Sequence, residues 1–124
     1  MRTLKQAIED YGHQAFLIAA SDDGPHTSVV DVTLDAQGLS LTLGRTASRY
    51  VASNPHVSLL WPAKDEGGYN VIVNGIVAGS PALSDEYGSG NTTIQITKSV
   101  FHRPGASRTD GAACTSDCLP LSYP

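Results

Sequence analysis

Basic residues are scarce in this chain. Lys and Arg together number 8 against 12 Asp and Glu, giving a formal net charge of −4. Such a chain has no surplus of cations to displace counterions from a phosphate backbone, which argues against general nucleic-acid binding. The same scarcity makes any local group of arginines informative. Long apolar runs are also missing: no stretch approaches the roughly 20 residues that span a bilayer. The opening MRTLKQAIEDYGHQ is amphipathic and charged, unlike the apolar centre of a secretion signal. A cytoplasmic location without membrane contact is the expectation. Cysteine is confined to Cys114 and Cys118, both among the last eleven residues, so cross-links say little about how the main body is held together.

What is present suffices for one folded unit. The 124 residues are 40% hydrophobic and 16% charged, a globular balance. A chain of this size buries about two-thirds of its unfolded surface without staples. Leu4, Ala7, Ile8 and Tyr11 recur at helical spacing, which predicts a short amphipathic helix over residues 3–11, ended by Gly12. QAFLIAAS reads as a buried strand closed by the turn signal DDGP. From His26 the pattern alternates, with Val30, Val32 and Leu34 on one side and Thr27, Asp31 and Thr33 on the other. DAQG then turns the chain, with Gly38 free to take positive φ. Leu39, Leu41 and Leu43 alternate with polar or small residues as a half-buried strand. Further strands follow in HVSLLWP, in YNVIVNGIVAG and in TTIQITKSVFHR. The glycine inside the second of these, Gly75, predicts a bulge or a close approach by another backbone or a ligand.

The expected fold is mostly β, an antiparallel six-stranded split barrel with two short helices. Open edges on so small a sheet are costly, and closure removes them. Residues 1–103 form the barrel domain in this reading. Residues 104–124, small, polar and proline-bearing, form an extended tail that is disordered or draped over a neighbour.

The densest functional signal is LTLGRTASRYVASNP, residues 41–55. It joins a strand end, a turn and a short helix that Asn54-Pro55 stops, since a residue before proline avoids the α region. Spacing alone leaves two readings. Thr46 caps the helix while Arg45 and Arg49 are solvated, or the helix start binds an anion. A helix N-terminus has unpaired N–H groups and partial positive charge. Thr46 or Ser48 would add a hydroxyl, and the arginines charge-assisted bonds.

The order of GPHTSVV, GRTASRYVASNPHVSLLW and VIVNGIVAG resembles the pyridoxamine 5′-phosphate oxidase-like proteins with an FMN-binding split barrel, over residues 3–103. That resemblance implies a homodimer with cofactor sites at the subunit interface and a small-molecule substrate. It further implies that Ser48 and Arg49 hold the cofactor phosphate, an arginine standing where lysine is more usual, with Arg45 and Thr46 in the turn before them. Thr27, Ser28 and Val29 would lie beside the isoalloxazine ring, and Trp61 and Pro62 near its edge. The implied activity is that of an FMN-dependent oxidoreductase passing hydride or electrons to or from a small molecule. Two alternatives keep the fold: a deazaflavin-dependent reductase, or a non-catalytic flavin- or haem-binding dimeric module. Lys98, Arg103 and Arg108 are the basic residues available to the longer anionic tail of a deazaflavin. The chain lacks the C-terminal segment that contributes substrate-binding residues in true pyridoxamine phosphate oxidases, which argues against vitamin B6 oxidation.

The remaining residues carry less. Trp61, before Pro62, suits stacking on a flavin or packing in the core equally. His26 is read as a surface turn residue, and no histidines are spaced as metal ligands. CTSDC leaves a shared zinc site, a redox disulfide and two free thiols open, although two sulfurs alone do not make a zinc site. No catalytic acid or base stands out; Asp31 is a polar group on a strand face. A flavin would perform the electron transfer itself.

Overall fold

Thr3 starts the first helix, α1 (Leu4–Tyr11), with a reciprocal cap. Its hydroxyl accepts from the Gln6 N–H, and the Gln6 side chain accepts from the Thr3 N–H, so two first-turn donors are satisfied at once. Leu4, Ala7 and Ile8 form the buried face of α1. The computed structural model describes residues 2–78, 82–83, 90–104 and 116–124. After α1 come β1 (Gln14–Ala19), β2 (His26–Asp31), β3 (Thr33–Asp35), β4 (Gly38–Leu43) and α2 (Arg45–Ser53). They are followed by β5 (His56–Trp61), β6 (Asn70–Val77), β7 (Ala82–Leu83), β8 (Gly90–Pro104) and β9 (Ser116–Pro120).

The strands hydrogen-bond in the order β2-β1-β5-β6-β8-β4-β3, and every pairing is antiparallel. The two ends of that order are halves of one strand, joined at the buried Val32. Its first half pairs with β1 and its second with β4, so the sheet curls back on itself. His13 fixes the pivot: its backbone carbonyl accepts from the Val32 N–H at 2.8 Å, and its Nδ1 lies 2.9 Å from the Val32 carbonyl oxygen. Counted as staves, the wall has the six strands expected from the sequence. The bent stave is divided in two, and β7 and β9 add short pairings along β8. Inside lie Leu17, Leu39, Leu43, Leu59, Trp61, Val71, Val73 and Ile94, the inward positions of alternating strands.

Gly75 interrupts the β6–β8 ladder with a register shift between Asn74 and Gly75. A methyl group there would sit 2.7 Å from the Gln95 carbonyl oxygen and would also strike the Ile94 side chain. Of the two expected causes, the structure shows both a bulge and a backbone approach. The chain end also has a defined place. β9 pairs with residues 100–104 of β8, Leu121 is buried, and the Leu4 N–H donates to the Ser122 carbonyl at 2.8 Å. Residues 116–124 therefore dock on their own barrel, because Leu121 finds a core position and β8 runs on past β4. Among the described residues, no helix is long and apolar enough to cross a membrane.

Candidate functional site

Gly44 is the N-cap of α2, in extended backbone and without a side-chain capping bond. The first helical bond runs from the Ser48 N–H to the Gly44 carbonyl at 2.9 Å. Thr46 therefore lies inside the first turn and does not cap it. Among the described residues no side chain caps the preceding amides, of Arg45, Thr46 and Ala47, and they carry the positive end of the helix dipole. Ala47, Ser48 and Val51 turn inward, while Arg45 and Arg49 are exposed and Thr46 is half-buried. Ser48 is only 8% exposed, and its Oγ has no hydrogen-bond partner among the described residues. A buried hydroxyl left in that condition costs about 1–3 kcal/mol of desolvation.

Arg49 lies over the Tyr50 ring, 5.6 Å from its centre. Tyr50 in turn meets His26 edge-on at 5.5 Å, which ties the middle of α2 to the start of β2. A groove of about 560 Å³ runs beside them, lined by Arg49, Tyr50 and Ser53 on one side and by Asp22 and Asp23 on the other.

The wall changes partner along the bent strand that precedes β4 and α2. β3 and β4 pair with Thr33 opposite Ser40. Before Val32 the bent strand pairs with β1 instead, and Asp31 shares a groove with Thr42 of β4. That polar groove, of about 400 Å³, is lined by Asp31, Thr33, Ser40, Thr42 and Asn91. Thr27 and Val29 face outward on β2, Val29 with 56% of its surface exposed. Ser28 turns the other way, with its Oγ buried and without a partner among the described residues.

Of the expected site residues, Arg45, Thr46, Ser48 and Arg49 lie on the first turns of α2 and Thr27, Ser28 and Val29 on β2, two elements that meet at the His26–Tyr50 contact, but Trp61 lies elsewhere. It is 1% exposed, on the inner side of the wall, and its indole N–H donates to the Gly12 carbonyl at 2.9 Å. Pro62 is exposed just past the end of β5. Two features went unread in the sequence: the His26–Tyr50 contact and the carboxylates facing Arg49. Both depend on barrel closure bringing the β1–β2 turn against α2, and no local pattern signals that.

Perturbed titrating groups lie away from the cleft. The Lys64 ammonium, 2.7 Å from Asp10, holds that carboxyl below its ordinary range and is itself raised by the same hydrogen bond. Burial raises the neighbouring Tyr11 phenol. All three sit on α1 or the turn after β5. Among the described residues, no group of three or more metal-ligating side chains forms.

A Mycobacterium bovis protein, Mb0449c, is 31% identical over an alignment of 145 residues that takes in 100% of this chain and 95% of the relative. The Mycobacterium tuberculosis protein MT0457 matches to the same extent. Among solved structures, a Listeria innocua protein named for pyridoxamine 5′-phosphate oxidase superposes with a TM-score of 0.63 at 17% identity, covering 78% of this chain and 94% of that one. The chain belongs to the family of these mycobacterial proteins, and its fold is that of the pyridoxamine 5′-phosphate oxidase-like split barrels. Two further split barrels span ligand classes. HutZ, the haem storage protein of Vibrio cholerae, has a TM-score of 0.60 at 13% identity over 79% of this chain and 92% of its own. An F420 reductase has 0.56 at 18% identity over 69% and 87%. At such identities the likeness is one of fold, and fold does not choose a ligand. No family model matches this split-barrel protein.

Proposed function

We propose that this split-barrel protein binds FMN at the start of α2 and acts as a homodimeric flavin-dependent oxidoreductase on a small molecule. One observation carries the reading: an uncapped helix start flanked by Arg45 and Arg49, with the Ser48 hydroxyl buried and unpartnered beside it. These groups fit a phosphate. The amides and hydroxyls supply neutral donors, the guanidiniums supply charge, and a bound oxyanion would satisfy a hydroxyl that no described residue satisfies. Thr27 and Val29, outward on the adjoining strand, would support the ring. Bound there, the flavin supplies the hydride and electron chemistry, and the protein contributes binding, orientation and shielding.

The surroundings of Arg49 favour FMN over a deazaflavin. The longer anionic tail of a deazaflavin needs more cations nearby, whereas the groove beside Arg49 presents Asp22 and Asp23. Of the basic residues once available, Arg103 stacks on Tyr69 at 4.3 Å. Lys98 lies opposite Asn74 on the β6–β8 ladder, and Arg108 falls outside the described residues.

A second copy of the chain is the proposed partner, on an apolar row across the outer wall. Val29 pairs with Phe16, Phe16 with Leu60, Leu60 with Ile72 and Ile72 with Val100. Val29 and Phe16 are 56% and 37% exposed. Contiguous apolar surface of this kind marks an interaction face, and this one adjoins the cleft at Val29.

The test is the visible spectrum of the purified protein, followed by FMN titration. Flavin absorbance is expected. Arg49→Ala should weaken FMN about tenfold, and Ser48→Ala/Arg49→Ala about a hundredfold, as loss of one and two bonds of about 1.5 kcal/mol each implies. Undiminished binding by the double variant would remove the phosphate from this turn, and a haem spectrum would overturn the flavin assignment.

A further inference from the structure

A nucleophile and a base meet on the outer wall, on elements that take no part in the cleft. His102 of β8 and Cys118 of β9 are direct cross-strand partners. The imidazole Nδ1 lies 3.1 Å from the Cys118 sulfur, and Cys118 is exposed. The placement is rigid at both ends. Asn70 of β6 flanks His102 on its other side. Beyond Cys118, the Leu121 N–H donates to the Ser99 carbonyl at 2.8 Å while the Leu121 side chain is buried. The thiol is thus held on a ladder against a proton acceptor while its outer side meets solvent. A thiol within hydrogen-bond reach of an imidazole is the arrangement of an activated sulfur nucleophile. Two such ligands are too few for a structural zinc site, which takes four.

We propose that Cys118, with His102 as its proton acceptor, is a site of thiol–disulfide exchange with small organic disulfides. In that step the Cys118 sulfur attacks one sulfur of R–S–S–R. The new S–S bond forms as the old one breaks, and the thiol proton passes to His102 Nδ1 and on to the departing R–S⁻, released as R–SH. Cys118 is oxidised to a mixed disulfide and one reagent sulfur is reduced, so the electrons balance with the disulfide as oxidant. The site is independent of the flavin reading, since none of its residues belongs to β2 or α2.

The full-length chain carrying Cys114→Ser, which leaves Cys118 as its sole thiol, tests this with 5,5′-dithiobis(2-nitrobenzoate), followed through the released thiolate. The folded protein should react about a hundredfold faster than the same chain in urea, the lower end of what a positioned base supplies. His102→Gln should fall to the unfolded rate while keeping its melting temperature within a few degrees; if it does not fold, His102→Asn takes its place. A folded rate no faster than the unfolded one would overturn the proposal, and so would a folded His102 variant that reacts as fast as its parent.

Discussion

Ser48 shows how one side chain separates binding from stability. Its hydroxyl is buried without a partner among the described residues, so removing it from the ligand-free protein removes a desolvation cost and no hydrogen bond they make. Ser48→Ala should leave the free protein as stable as its parent, or more stable by up to about 1 kcal/mol, while weakening FMN. Urea denaturation measures the first effect and FMN titration the second. A loss of stability beyond about 1 kcal/mol in the free variant would mean that the hydroxyl serves the fold instead. The sequence offered Ser48 only as one of two hydroxyls near a helix start. Its burial, and the exclusion of Thr46 from capping, became visible once Gly44 was seen to be the N-cap. Trp61 gives the converse case, because its place before Pro62 suited the core and a ring equally. The indole bond to Gly12 and the inner side of the wall are tertiary facts.

At the scale of elements, the bulge at Gly75 is a design feature of the β6–β8 pair. Ordinary strand positions accept a methyl group, but here it would meet the Gln95 carbonyl oxygen at 2.7 Å, against a backbone that the ladder holds in place. Gly75→Ala is expected to destabilise by roughly 2–4 kcal/mol, read as a lower urea midpoint with an unchanged slope. A midpoint equal to that of the parent would mean that the two strands separate at little cost. Gly75 was legible as exceptional because glycine is costly inside a strand and needs a reason. The alternation from His26 to Leu34 was legible too, as one continuous strand. Its exchange of partners at Val32 was not, since pairing with β1 before the pivot and β4 after it leaves the inward–outward pattern unchanged.

For the whole molecule, the proposed dimer rests on the row from Val29 to Val100. Placing a charge at its most exposed positions should separate the copies without touching the core, because both side chains face outward. Val29→Asp and Phe16→Glu are expected to convert a dimer to a monomer in light-scattering chromatography, with strand content retained by circular dichroism. Dimers that persist in both variants would move the interface to another face. A parent protein that is monomeric at the same concentration would refute the proposed partner outright.

The sequence by itself determined the local elements and the sides they bury, because period-two and helical spacing are written in neighbouring residues. It also marked the stretch from Arg45 to Arg49 as a place where hydroxyls and guanidiniums crowd a helix start, a fact of order that folding does not alter. Closure of the wall through Val32 was decided only in three dimensions, as were the carboxylates facing Arg49 and the placing of Trp61 inside. The meeting of His102 with Cys118 belongs with them. Each depends on contacts between segments far apart in the chain, whose pairing is set by which edges and core positions remain unfilled as the barrel closes.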